Sequence, residues 1–287
     1  MEIQIAVPNK GRLREPTLRA LDRAGIVLMD KNERMLYART ADPEVRVIFI
    51  RASDIPRFVE EGAADLGITG LDFIKESGAD VDELLDLKFG RARVVVASSG
   101  RSKVTSVGDV KSGMRVATKY SNLARKYFED KKKSVSVVKI SGAAEIMPYL
   151  GVADLVVDVT STGTTLGTHG LRIIDDILET SARLIANKQS LEEKKAKIRE
   201  IVLAFESVMR AERKKLVMMN VPEKALPAVK KVLPAMAGPT LAKVESAEPM
   251  WEVYSVVDEK EVYRVINGVK KAGARDIIVI PIERIIP

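Results

Sequence analysis

Three observations predict an α/β protein of two similar lobes followed by a smaller α/β tail. Short Val/Ile-rich runs alternate with amphipathic stretches through the first half, the order expected of strands in parallel sheets joined by helical crossovers. The pattern Gly-x-Ala-Asp-Leu occurs at Gly62 to Leu66 and again at Gly151 to Leu155, each time closing a helix and opening a strand that ends in a Thr/Gly-rich loop. From residue 216 onward the order reads βαββαβ, the ferredoxin-like arrangement.

The elements follow in order. Ile3 to Val7, Val45 to Ile50, Leu66 to Thr69, Arg93 to Ala97, Arg115 to Thr118, Val135 to Ile140 and Leu155 to Val159 read as strands. Helical patterns with start signals lie between them: Ser53 to Gly62 and Ser121 to Asp130 each begin with an N-cap candidate, and Ser141 to Leu150 carries Glu145 in its second turn. Two lobes facing each other would put Thr69-Gly70 and Thr160 to Thr165 on one cleft; simple repetition of βα units is the alternative. Ser190 to Leu216 reads as one long charged helix, with Ser190 and Glu193 at capping-box spacing and an apolar stripe from Ile198 to Met209. The tail reads as strand Val217 to Val221, helix Pro222 to Leu233, strands Thr240 to Val244 and Trp251 to Val257, helix Glu259 to Ala272 and strand Asp276 to Ile280.

Composition removes whole classes of chemistry. The 287 residues include no Cys, which excludes disulfides, thiolate nucleophiles and Cys-ligated zinc, and a single His makes a His-based triad or multi-His metal site improbable. No stretch approaches the roughly 18 consecutive apolar residues of a bilayer helix, and the start lacks a basic-then-apolar export signal. The expectation is a soluble, cytoplasmic protein with no membrane partner. A net charge of +7 favours anionic ligands. Basic residues are interspersed with acids and only 5% of residues are aromatic, so no nucleic-acid partner is expected.

The most informative segment runs from Ala153 to Leu166. A buried strand delivers Asp158, then a loop with five hydroxyls and one glycine, then an apolar residue that opens a helix. Gly163 lets the backbone come close, successive N–H groups point into the loop, and Ser161, Thr162, Thr164 and Thr165 supply hydroxyls; together these suit a phosphate monoester. Asp158, at the strand end, is placed to accept from ribose hydroxyls or to orient a hydrated Mg²⁺. A P-loop lysine and a GxGxxG pattern are both absent, which argues against triphosphate hydrolysis and Rossmann dinucleotide binding.

At these residues the sequence resembles the ATP phosphoribosyltransferase family. Glu145, Gly151-x-Ala153, Val156-x-Asp158 and Thr162-Gly163-x-Thr165-Leu166 look like its signature. The opening Ala6 to Leu13, the segment Asp65 to Asp72 and the closing Gly273-Ala274-x-x-Ile277-Ile278-Val279 extend the likeness over nearly the whole chain. The resemblance implies a bilobal core similar to periplasmic binding proteins, with lobe one at about 1 to 90 plus 181 to 215 and lobe two at 91 to 180. It also implies a regulatory, histidine-binding domain at 216 to 287, as in long-form members, and a homohexamer built from dimers without the synthetase-like partner of short forms.

The implied reaction joins N1 of ATP to C1 of phosphoribosyl pyrophosphate (PRPP), opening histidine biosynthesis under feedback inhibition by histidine. Ser161 to Thr165 would grip the 5′-phosphate, Asp158 and Glu145 the ribose, and Mg²⁺ the pyrophosphate with few protein ligands and no dedicated metal cage. Lys10, as a catalytic cation, and Arg12, Arg51 and Asp72 are expected at ATP or pyrophosphate. Plain alternatives stand beside these: Lys10 and Arg12 as solvated loop charges, Asp72 as a helix cap, Glu145 as a surface helix residue. Gly238, Thr240 and Ala274, at turns of the tail, are expected near histidine, with turn formation as the alternative. His169 lies outside the signature and is expected to be structural or exposed. A solute-binding protein would use the same two-lobed plan without turnover.

Overall fold

The computed structural model describes residues 2–29, 36–233 and 238–286. The chain forms two compact units, Met1–Val202 and Leu203–Pro287.

The first unit runs β1 (Ile3–Pro8), α1 (Arg14–Arg23), β2 (Tyr37–Arg39), β3 (Val45–Ile50), α2 (Ile55–Glu60), β4 (Leu66–Gly70), α3 (Leu71–Ser77) and β5 (Asp82–Asp86). It continues with β6 (Ala92–Ser99), β7 (Met114–Thr118), α4 (Ser121–Asp130), β8 (Val135–Lys139), β9 (Leu155–Thr160), α5 (Thr164–Thr168), β10 (Leu171–Thr180), β11 (Ala182–Ala186), α6 (Lys188–Glu193) and the start of α7 (Lys195–Ala211). Among the described residues these strands make two sheets, in the orders β2-β3-β1-β4-β11-β5 and β10-β6-β9-β7-β8.

Each sheet has a parallel heart: β1 with β3 and β4, and β7 with β8 and β9. The expectation of wholly parallel sheets is corrected, because β11 runs against β4, β6 against β9, and β2 against β3. The two crossings account for the first two of these. β5 leaves the first sheet at the carboxyl edge of its parallel strands, so β6 enters the second at that edge and must run backwards there. β10 passes into β11 through Ser181 alone and makes the reverse journey under the same constraint. The carboxyl edges of both sheets therefore meet at the crossovers.

Burial explains why these segments became strands. β4 is enclosed along its whole length, and Ile3, Ile5, Ala6 and Val7 of β1 are buried beside it, as central strands covered on both faces require. Gly67 is obligatory there: a Cβ would come within 2.6 Å of an Ile55 methyl of α2. The second sheet buries Val94, Val96, Val116, Leu155 and Val157 against Tyr120, Ala124 and Phe128 on the α4 side.

Two expected helices are revised. Ser190 to Leu216 is not one helix: α6 and α7 are separated at Lys194, whose ammonium bonds the Glu2 carbonyl at 2.9 Å and Asp65 at 2.8 Å. The capping box is also absent, since Asn187 caps α6 by accepting from Ser190 N, while the Ser190 hydroxyl donates to Asp65. Ser141 to Leu150 holds only a short 3-10 turn at Ala144–Ile146, entered through Ala143 at φ 54°. β10 escaped the sequence reading because it is an edge strand with two bulges, and Asp175 and Asp176 interrupt its apolar run.

In the second unit β12 (Lys214–Pro222), α8 (Leu226–Val232), β13 (Thr240–Val244), β14 (Met250–Asp258), α9 (Val262–Lys271) and β15 (Arg275–Pro281) form an antiparallel sheet of order β13-β14-β12-β15. Alternation decides which face is covered: Val217, Met219 and Val221 of β12 are buried with Val265 and Val269 of α9, while the residues between them are half-exposed. This is the ferredoxin-like arrangement that the tail's element order predicts.

Candidate active site

The polar residues singled out in the sequence gather at the carboxyl ends of parallel strands, where ligands of open α/β sheets bind. In the first sheet, exposed Lys10 and half-buried Arg12 follow β1, exposed Arg51 follows β3, and Asp72 lies two residues beyond β4. In the second, Lys119 follows β7, Glu145 lies beyond β8, and Asp158 and the loop Ser161 to Thr165 are carried by β9.

The loop is held by its own hydroxyls. Thr160 Oγ1 accepts from Gly163 N at 2.9 Å, the Thr162 and Thr164 hydroxyls share a 2.8 Å hydrogen bond, and Thr164 N donates to Thr162 Oγ1. Gly163 has φ +81°, the left-handed region that glycine enters without a side-chain clash. Leu166 is buried and pins the loop into a cluster with Val156, Leu171 and Ala144. Ala144, in this cluster, directly precedes half-buried Glu145. Ser161, Thr162, Thr164 and Thr165 remain exposed.

Asp158 is half-buried. Its Oδ1 accepts from Val159 N at 2.7 Å and lies 3.4 Å from the Lys119 ammonium, which also sits 5.0 Å from the Tyr120 ring centre. Sequence reasoning missed Lys119 and Tyr120, although both directly follow a parallel strand, the signal that located the other candidates.

Asp72 departs from both expectations. It is fully buried and does not cap α3, whose N-cap is Gly70. Its Oδ2 accepts from the Tyr120 hydroxyl at 2.7 Å, its Oδ1 accepts from Thr180 at 2.7 Å, and the Arg12 guanidinium lies 3.3 Å away. The other arm of Arg12 donates to the Gly90 carbonyl. Burial first, then the Asp72 charge and hydrogen bond, push the Tyr120 hydroxyl far above its ordinary pKa, so it stays a donor. Asp72 thus ties the first sheet (β4) to the second (β7 and β10) and orients Arg12.

His169 is exposed at the end of α5, its carbonyl accepting from Tyr149. In the second unit Gly238 has φ +102°, Thr240 is exposed at the start of β13, and Ala274 is buried in the apolar cluster after α9. Among the described residues no group of three or more His, Asp or Glu side chains converges as a metal cage, and no helix is long and apolar enough to cross a membrane.

The sheets and their crossovers define a two-lobed α/β fold of the periplasmic-binding-protein-like class, followed in sequence by a ferredoxin-like domain. Residues 51–207 match the family model HisG, ATP phosphoribosyltransferase, and residues 211–284 match the model of the HisG C-terminal domain. The chain belongs to the ATP phosphoribosyltransferase family, pentosyltransferases of the first step of histidine biosynthesis, and has the long form with its C-terminal domain.

Full-length relatives agree. ATP phosphoribosyltransferase of Methanopyrus kandleri is 52% identical over 285 residues, spanning 99% of this chain and 100% of its own, and that of Methanocella arvoryzae is 51% identical over 284 residues, 99% of each. Among solved structures, the ATP phosphoribosyl transferase (HisG:HisZ) complex from Thermotoga maritima matches with a TM-score of 0.63 at 26% identity, spanning 71% of this chain and 96% of that one. The substrate binding protein of an amino acid ABC transporter matches with a TM-score of 0.51 at 12% identity, over 74% of this chain and 95% of that one, a likeness of fold alone.

Proposed function

We propose that this enzyme joins N1 of ATP to C1 of PRPP. The C1–N1 bond forms as the C1–O bond to pyrophosphate breaks, the bonding electrons leave with the pyrophosphate, and positive charge gathers on the ribosyl carbon. Pyrophosphate leaves readily, so neither a covalent nucleophile nor a strong base is needed, and positioning with electrostatics supplies the catalysis. The observation that carries this reading is the exposed hydroxyl loop at the tip of β9, stiffened from within and preceded on the same strand by Asp158.

The loop's Ser161, Thr162, Thr164 and Thr165 hold the 5′-phosphate, and Asp158 and Glu145 face the ribose. Lys119 pairs with Asp158 in the free enzyme and gives it up to the sugar hydroxyls when PRPP arrives. Lys10 and Arg51 meet the polyphosphates. Asp72 acts as a positioning residue through Arg12 and Tyr120. Mg²⁺, when bound, would neutralise the charge of the pyrophosphate group, with Asp158 as the side chain that would help hold it and substrate oxygens as its main ligands.

The proposed lobes, 1–90 plus 181–215 and 91–180, are supported at 90 and 181 by the strands each sheet recruits. The boundary at 215 moves back, because residues 203–215 fall in the second compact unit and β12 begins at Lys214. Residues 216–287 are proposed as the histidine-binding regulatory domain of a cytoplasmic homohexamer built from dimers, with Gly238, Thr240 and Ala274 near the effector. Such inhibition requires histidine to bind a less active state more tightly. The deciding assay mixes protein, Mg²⁺, ATP and PRPP and follows pyrophosphate and ribosylated ATP. Binding of either substrate without turnover would overturn the reaction, and histidine inhibition surviving in an active protein lacking residues 216–287 would overturn the regulatory placement.

A further inference from the structure

We propose that Glu76 is a positioning residue of the transfer reaction: a carboxylate of the first lobe that caps α4 of the second and thereby holds the turn carrying Lys119 and Tyr120. The role rests on the transferase reading above, because its consequence is felt at Asp158 and PRPP; the cap itself rests on the geometry alone. Two covalent crossovers join the lobes, and Asp86 ties one to the other. It accepts from the Ser181 hydroxyl at 2.7 Å and from the Lys88 N–H and ammonium at 3.0 and 2.8 Å, with Arg183 Nη1 3.4 Å away. Burial raises its pKa, but the Lys88 and Ser181 bonds and the Arg183 charge outweigh that and pull it down to about 2, so the tie stays ionised.

Helix α3 of the first lobe adds a second attachment through Asp72, Phe73 and Glu76, which lie within one turn and all reach across. Asp72 accepts from Tyr120, and Phe73 packs against the core of the second sheet with its ring centre 5.9 Å from that of Tyr120. One turn beyond Asp72, the half-buried Glu76 carboxylate accepts from Asn122 N and from Leu123 N, each at 3.0 Å, and the Glu76 carbonyl accepts from Asn122 Nδ2 at 2.8 Å. The two amides are orphan donors of the first turn of α4. The helix has no side-chain cap of its own: Tyr120, at the N-cap, gives its hydroxyl to Asp72, and the Ser121 hydroxyl is buried with no hydrogen-bond partner among the described residues. A cap that helices ordinarily take from the adjoining residue comes here from 46 positions away.

Lys119 and Tyr120 lie between β7 and this cap. Upstream, Thr118 pairs with Lys139 of β8 and Val157 of β9, and its hydroxyl accepts from Tyr120 N at 2.8 Å. Downstream, Glu76 is the anchor. Release of the cap frays the first turn of α4 and loosens Lys119, whose ammonium lies 3.4 Å from Asp158. The apparent affinity for a ligand falls with the fraction of molecules in the competent arrangement, so a cap supplied by one lobe sets how well the other receives the sugar.

The test pairs a substrate-free measurement with a substrate-dependent one, both on the full chain. In site-resolved hydrogen exchange, the Asn122 and Leu123 amides of Glu76→Ala are expected to exchange about five-fold faster than in the parent, while Glu76→Gln, which keeps an acceptor oxygen, stays within about two-fold. In calorimetric titration with PRPP, the stoichiometry counts folded protein and the dissociation constant reports positioning. Glu76→Ala is expected to weaken PRPP about five-fold at unchanged stoichiometry, and Glu76→Gln to restore the parent's affinity. Unaltered exchange in Glu76→Ala overturns the cap. Faster exchange with unaltered PRPP affinity overturns the positioning role, as does an affinity loss that Glu76→Gln leaves in place. Should Glu76→Ala fail to fold, Asn122→Ala, at an exposed position, removes the bond to the Glu76 carbonyl, and unaltered PRPP affinity there overturns the role. Turnover separates the two proposals: a parent that does not turn over ATP with PRPP removes the transferase reading and this role with it, whereas turnover by a parent whose Glu76 variants bind PRPP normally removes this role only.

Discussion

Asp72 and the Ser161 to Thr165 loop occupy matching positions, each just past the end of a parallel strand, yet they are opposites in state. Asp72 has no exposed surface, and its carboxylate is taken up by Tyr120, Thr180 and Arg12. The loop keeps four hydroxyl residues exposed and spends its internal hydrogen bonds on its own shape. A saturated carboxylate fixes geometry, whereas exposed donors on a stiff loop are available to a ligand. Sequence proximity to a strand end does not tell these apart; burial does.

The comparison breaks most readily at Asp72. Asp72→Ala leaves Tyr120 and Arg12 without their acceptor and is expected to cost about 3 to 5 kcal/mol in urea unfolding, as loss of one partner of a buried charged network does. Tyr120→Phe, which removes a single donor, is expected to cost about 1 to 3 kcal/mol. If Asp72→Ala unfolds at the parent's denaturant concentration, the knot contributes nothing to stability. At the loop the effects belong to function. Asp158→Asn keeps shape and removes charge, and kcat is expected to fall about 100-fold with the unfolding midpoint unchanged; an unaltered kcat would deny that carboxylate its role at the ribose.

A smaller effect is expected from Thr165→Ala, which should weaken PRPP binding by about 1 to 3 kcal/mol through a lost charge-assisted hydrogen bond. Equilibrium PRPP titration measures it, and unchanged affinity would tell against the loop. The mildest effect concerns pH. The folded-state pKa of Asp86, about 2, lies below the ordinary carboxylate value, so its contribution is complete above about pH 4 and lost as pH falls toward 2. Asp86→Asn should flatten that part of the stability profile; the same acid slope in parent and variant would show that other groups carry it.

Much of the candidate site was legible because the residues of the proposed phosphate loop are neighbours in sequence. The end of one strand, one left-handed glycine and five hydroxyl residues lie within Asp158 to Thr165, so their spacing alone announces the loop. Glu145 is a candidate through family resemblance alone, and the helix expected around it is a short 3-10 turn. Lys119, Tyr120 and Thr180 were not singled out, because what distinguishes them is contact with residues far away: Tyr120 reaches Asp72 across 48 positions and Thr180 across 108.

The same division runs through the fold. Alternation and amphipathic period, which depend on neighbours two to four residues apart, determined most strand positions, the βαββαβ order of the tail and the chemical character of the loop. Tertiary structure alone decided that the crossing strands run antiparallel, that Lys194 divides the long helix, and that Asp72 is a buried tie. Each outcome is set by which distant segment arrives to fill a face or accept a hydrogen bond, and local periodicity carries no record of that arrival.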